Sequence, residues 1–440
     1  MKSRGLIIAV VVAAALGGGI WYSEKLEAEK AAKPPADTAP KLIEMGDDQF
    51  KKLEISKKDT PALVLERGAD NKWKMLAPQT LPVDTDAITA LTNTLASFAS
   101  ERLVEEKATD LAQFGLVAPS LKVAITTKDG KTRSLLVGDE TATGGGFYAK
   151  MDSDARVYTI FNYNRAAIDK SPSDLRDKRL MTFDPLKVTR VELTAQKTAL
   201  EFGKNAAGEW QILKPDPYRA DNLQVEEIVR KLKDAKMDLA LATDELAKAS
   251  AQFASGAVVA AAKVTDAGGT QTLEVRKNKD DFFAKSSAVE GVWKVAKELG
   301  EGLDKPLDDL RNKKLFDFGF SDPSKVEFRF GDSATALAKA GEDWTRSGKK
   351  MDAAQVQTLI DKLRDLTAIK FMTTGFAAPS IEITVTAKQG EKVQISQADG
   401  RWVARRDGEA ALYELDGKNV QEIERAVKEL KEASAAPPKK

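Results

Sequence analysis

One pattern is written three times along this chain of 440 residues. Trp73 in "NKWKMLAP", Trp210 in "GEWQILKP" and Trp344 in "EDWTRSGK" lie 137 and 134 residues apart. A period of that size exceeds the small motifs of a solenoid, and it leaves each copy enough chain to own a hydrophobic core. The repeat therefore fixes the architecture before any single motif is considered.

After each Trp comes a helix start of one design. "DTDAITALTNTLASF", "DNLQVEEIVRKLKDA" and "DAAQVQTLIDKLRDL" place Asp84, Asp221 and Asp352 at the N-cap, and Gln224 and Gln355 stand where a capping box puts its third residue. Ile88, Leu91 and Leu95 match Val225, Ile228 and Leu232 in the second copy, and Val356, Leu359 and Leu363 in the third. Spacings of three, four and seven place these side chains on one helical face, which has to be buried. Alternating strands follow, among them "SLKVAITTKDGKTRSLLV" and "SIEITVTAKQGEKVQIS", each a hairpin about a glycine turn. A later strand carries Tyr158, Trp293 and Tyr413 in turn. The expected fold class is α+β: three tandem repeats of a mostly antiparallel sheet covered by one or two helices. The expected domains are residues 41–182, 183–319 and 320–433, followed by a disordered tail, 434–440.

The N-terminus supplies an expected address. Lys2 and Arg4 precede an uncharged run, residues 6–22, that ends in the aromatic pair Trp21 and Tyr22. This reads as a transmembrane anchor over residues 1–22, with the N-terminus cytoplasmic and the bulk of the chain extracytoplasmic, a single pass of an inner membrane facing the periplasm. A cleaved signal peptide is the alternative reading of the same stretch. Residues 23–40, charged and then Pro-rich, form a linker that holds the folded part off the membrane.

Composition narrows the chemistry. The chain has no Cys and no His, which removes Cys-His and Ser-His-Asp catalysis, the usual zinc sites and lipoprotein attachment. Lys plus Arg (68) and Asp plus Glu (67) almost cancel, which argues against nucleic acid as a partner. "GDETATGGGFYAK" resembles a phosphate loop, but Phe147 and Tyr148 follow the glycines where a P-loop needs Lys and then Ser or Thr. A hairpin turn is the expectation there. The carboxylate pairs Asp280 with Asp281 and Asp308 with Asp309 are adjacent in sequence, so their side chains point apart. No catalytic, metal or cofactor-binding residue is assigned.

"DLRDKRL", residues 174–180, returns as "DLRNKKL", residues 309–315. Asp174, Arg176 and Arg179, with Asp309, Arg311 and Lys314, are the candidate site residues. They are read either as the docking contacts of a repeat junction, closing the last helix of one unit, or as a holder of an anion through the arginine forks. No copy of the motif is apparent at the end of the third unit.

Residues 114–181, with their "FGLVAPS" start, Gly-turn hairpin, "VG" strand end, "VY" strand and "LRDK" close, resemble an uncharacterised bacterial repeat family, domain of unknown function 4340. The match is partial in the second unit and again in the third, through "GFAAPSIEITV". The resemblance implies a membrane-anchored protein associated with ABC-type transporters of the gliding-motility kind. It brings no catalytic residues with it. The expected function is a membrane-anchored extracytoplasmic accessory or scaffold protein beside an ABC-type transporter or another envelope assembly. The alternatives are an envelope glycan- or polymer-binding protein, suggested by Tyr218, Trp293 and Tyr413, and a carboxylate-dependent hydrolase.

Overall fold

A computed structural model describes residues 40–238 and 243–433. The expected anchor, most of the linker and the tail lie outside the described residues. None of the described helices is long and apolar enough to cross a membrane. The chain divides between Lys178 and Arg179 into two compact units.

The first unit is built on a nine-stranded antiparallel sheet. Its strands in chain order are β1 (Phe50–Lys57), β2 (Leu63–Arg67), β3 (Trp73–Ala77), β4 (Leu81–Pro82), β5 (Arg102–Glu105), β6 (Leu121–Thr127), β7 (Thr132–Glu140), β8 (Gly146–Met151) and β9 (Val157–Phe161). In space they run β4-β3-β2-β1-β6-β7-β8-β9-β5. Helix α1 (Thr85–Ala96) turns Ile88, Leu91 and Leu95 into the core against Leu53, Leu65 and Val123, as their spacing requires. Two short helices, α2 (Asn162–Ile168) and α3 (Pro172–Leu175), end the repeat. Gly144 and Gly145 take positive φ in the turn from β7 to β8, and Thr141 donates back to Gly146 at 2.8 Å. The glycine-rich stretch is thus a hairpin.

The second unit contains two more sheets: one repeats the strand order without the strand equivalent to β5, and the other repeats it in full. One has eight strands and carries helices α4 (Asn222–Lys233), α5 (Thr243–Ser255), α6 (Lys297–Leu303) and α7 (Leu307–Leu310). The other has nine strands with α8 (Ala353–Arg364) and α9 (Gly417–Lys428). The faces of α4 and α8 expected to be apolar are buried, from Val225 to Leu232 and from Val356 to Leu363. Helix α5 has no sequence counterpart in the other repeats. Its Ala249 and Phe253 pack on Phe283, while the next residue back, Phe282, lies in the main core on the opposite face of the sheet.

Each sheet has its own core. One runs from Ile43 to Leu175, the next from Leu180 to Leu310, and the last from Leu315 to Leu430. Leu180 and Met181, assigned from sequence to the first repeat, belong to the core of the second. Phe316 and Phe318 likewise belong to the third. The core therefore changes hands inside "DLRDKRL" and inside "DLRNKKL", not after them.

Because the first core is self-contained, residues 40–178 expressed alone are expected to melt in one cooperative transition. Leu91→Ala in that fragment should lower its stability by about 2–5 kcal/mol, as for other buried leucines. Urea denaturation followed by circular dichroism measures both.

Candidate functional site: the repeat junction

The two halves of the repeated motif do different work. In the first half, the Leu175 carbonyl accepts from the N–H of Asp84 at 2.9 Å, and the Asp177 N–H donates to the Pro82 carbonyl at 3.0 Å. The second copy repeats this, with Asp221 donating to Leu310 at 2.8 Å and Asn312 donating to Arg219 at 2.9 Å. Arg176 and Arg311 thus sit in single antiparallel bridges to Val83 and Ala220, the residues just before the N-caps of α1 and α4. In the second half, Arg179 bridges Lys236 and Lys314 bridges Thr367. Leu180 and Leu315 donate to Ala235 and Leu366, just past the ends of α4 and α8, at 2.8 and 2.9 Å.

Both halves also occur where the sequence shows no copy. At the end of the third repeat, Asp352 donates to Lys431 at 3.0 Å, Ala433 donates to Lys350 at 2.9 Å, and Glu432 bridges Met351. At the start of the first repeat, Lys41 bridges Ala99 and Leu42 donates to Phe98 at 2.8 Å. Every repeat thus begins on the second half of the motif and ends on the first. The third unit has no copy of the motif's residues, as read, but Lys431-Glu432 takes the backbone place of Leu310-Arg311 there.

The local conformation also differs from expectation. Helices α3 and α7 stop at Leu175 and Leu310, and Arg176 and Arg311 are already extended, with φ of −69° and −88°. The basic residues therefore lie beyond the helix end, in a bridge, not in the last turn of a helix. The capping boxes foreseen at Gln224 and Gln355 are half made. Asp221 and Asp352 accept from the N–H groups of those glutamines, but the N-cap amides are taken by Leu310 and Lys431, and the Gln355 amide oxygen accepts from Lys431. The box closes at Ser171 instead, where Asp174 accepts from both the N–H and the hydroxyl. Burial tends to raise the Asp174 pKa, but the Ser171 bonds with Lys170 and Lys178 hold it below the usual carboxylate range.

Arg311 and Arg219 dominate the joint between the second and third repeats. The Arg311 guanidinium lies between two rings, Tyr218 of the second repeat at 4.0 Å and Phe371 of the third at 3.5 Å, and its Nη1 meets Asp308 at 3.2 Å. Its Nε is buried in this sandwich without an acceptor among the described residues. Arg219 reaches into the third repeat: Nε donates to Glu409 at 2.8 Å, Nη2 to the Tyr413 hydroxyl at 3.2 Å, and Nη1 to Asp317. Arg406 joins the same group through Glu409 at 2.7 Å and Glu391 at 3.1 Å. Burial alone lowers the Arg219 pKa, and the charges of Asp317 and Glu409, with Tyr413, more than reverse it. The Tyr413 hydroxyl is pushed up, by burial first and then by Glu409. A cleft of about 190 Å³ lies beside these groups.

Asp309 and Lys314 are exposed at this joint, and Lys314 contributes its carbonyl to Arg219 Nη2. The sequence did not single out Arg219, Phe371, Glu409 or Arg406, which are far apart in the chain and belong to no copied motif. The aromatics read as surface-prone are otherwise engaged. Trp293 and Tyr413 are buried, and Tyr218 is half-covered under Arg311. Of the carboxylate pairs, Asp281 meets Lys294 at 2.8 Å and Asp308 meets Arg311.

The family pattern described as a domain of unknown function, DUF4340, matches residues 73–249 and again residues 210–381. The chain belongs to the DUF4340 family. Each match begins on the repeated Trp, at the third strand of one repeat, and runs through a complete copy of the junction motif into the next repeat. A DUF4340 match is therefore out of phase with the cores, and it contains one junction motif whole. No curated protein matches the chain.

Arg311→Ala removes a guanidinium from between two rings and should cost about 2 kcal/mol, near the upper range for a desolvated cation–π contact. Lys314→Ala, which leaves the backbone carbonyl in place, should stay within about 0.5 kcal/mol of wild type. Equilibrium urea unfolding of the two variants distinguishes them.

Proposed function

We propose that this DUF4340 protein is a non-enzymatic accessory or scaffold protein, anchored in a bacterial inner membrane by its N-terminal segment. Its repeats project into the periplasm beside an ABC-type transporter or another envelope assembly. The supporting observation is that one arginine of the repeated motif, Arg311, stacks on Phe371 of the third repeat. Arg219, the residue before the Ala220 that Arg311 bridges, is held by Glu409 of the same third repeat, so this copy of the motif lies where the second and third sheet-and-helix units are joined. The basic residues ahead of an uncharged run, with aromatics at its far end, support the anchor and its orientation.

Purification of the tagged full-length protein from membranes in several mild detergents is expected to bring a membrane or envelope protein with it. Recovery of the protein alone in every detergent would reject the proposal. Deletion of residues 2–22 should move the protein from the membrane fraction to the soluble fraction.

A further inference from the structure

We infer that Arg219 is the key of an ionic latch that makes the second and third repeats one body, and that the sequence encodes which repeat docks on which. The two repeats have separate hydrophobic cores, one ending at Leu310 and the other starting at Leu315. The side-chain contacts described above that cross the joint are polar or cation–π. Arg219, with 19% of its side chain exposed, is matched by Asp317 and Glu409, and its guanidinium lies 6.0 Å from the Tyr413 ring centre. The socket on the third repeat is the pair Glu409 and Tyr413, whose hydroxyl donates to the Glu409 carboxylate.

The strand registers give the equivalent positions in the other repeats. In the first repeat the socket exists as Asp154 and Tyr158, but Arg156 of the same turn fills it. Its Nε and Nη2 lie 3.0 and 2.8 Å from the Asp154 oxygens, and its guanidinium is 5.6 Å from the Tyr158 ring. In the second repeat Val289 and Trp293 stand there, and the Trp293 indole N–H donates to the Glu290 carbonyl at 3.1 Å. The key varies likewise: Arg219 corresponds to Pro82 in the first repeat and to Lys350 in the third.

The supporting groups change in step. Asp317 donates its N–H to Glu391 as Thr182 does to Gln271, and Arg406 donates to the Leu315 carbonyl as Ser286 does to the Leu180 carbonyl. Neutral residues at one set of equivalent positions are thus charged at the other. An arginine key and an acid–tyrosine socket that accepts it, with Arg406 of the third repeat sharing Glu409, occur together at one joint. Such complementarity selects a partner surface, because any other pairing would bury an uncompensated charge.

Limited trypsin digestion of the full chain tests this by following cleavage after Lys313 and Lys314, identified by mass. Arg219→Met is expected to speed cleavage there by roughly ten-fold or more, since it leaves Asp317 without its cation, leaves Glu409 to Arg406 alone, and removes the side chain that crosses the joint. Arg190→Met, which removes a surface arginine paired with Glu192 and Glu201 inside one sheet, should leave the rate within about two-fold. Glu409→Gln should also speed cleavage, and the double variant should add little to Arg219→Met alone. If Arg219→Met does not fold, Tyr413→Phe, which removes one hydroxyl, gives the same readout with a smaller acceleration expected. An unchanged linker rate in the folded Arg219 or Tyr413 variant, or fully additive effects of Arg219→Met and Glu409→Gln, would overturn the latch.

Discussion

Three helix N-termini organise this protein. At Asp84, Asp221 and Asp352 the side chain caps the helix that follows, while the backbone N–H of the same residue is held by a carbonyl from the closing segment of the repeat. A buried amide without a partner is costly, so the closing segment is tied to the helix that covers the sheet. The end of each repeat therefore depends on how its first long helix begins. The apolar face of that helix and the sheet beneath it then complete the core.

From that constraint follows the odd shape of the motif. One stretch of seven residues serves two repeats: its first leucine enters one core and its last leucine enters the next. Between the leucines the chain is extended, and its backbone groups pair first with the strand before one helix and then with the turn after another. In the second copy this stretch carries the stacked Arg311 and meets the Arg219 network.

Much of the fold was legible in sequence because it rests on periodicity and punctuation. The nine apolar positions of α1, α4 and α8, the glycine hairpins and the antiparallel class follow from spacing and turn chemistry, and they appear as read. Helix α5 was not legible. Its contact face is small, Ala249 and Phe253, and no other copy supports it. The boundaries were read late by a few residues, because charge draws attention to Arg176 and Arg311 while the leucines on either side decide core membership. The half-motifs at the two ends escaped notice for a related reason. Backbone bonds at Lys41 and Glu432 require no particular side chain, so repetition of structure there leaves little repetition of letters. The Arg219 network was illegible because its members converge only through strand pairing.

The composite motif also bears on how such a chain can grow. The folding unit runs from the middle of one motif to the middle of the next, whereas the recurring family pattern starts at a tryptophan within a sheet. A duplication of chain between two motif midpoints would insert a repeat whose first amides and last carbonyls already have partners, and the motif text would be restored on both sides of the seam. Repeat number can then change without reworking any core. What such an insertion would not preserve is the pairing of one arginine with one acid–tyrosine socket, so order along the chain, more than length, is the property that selection has to maintain.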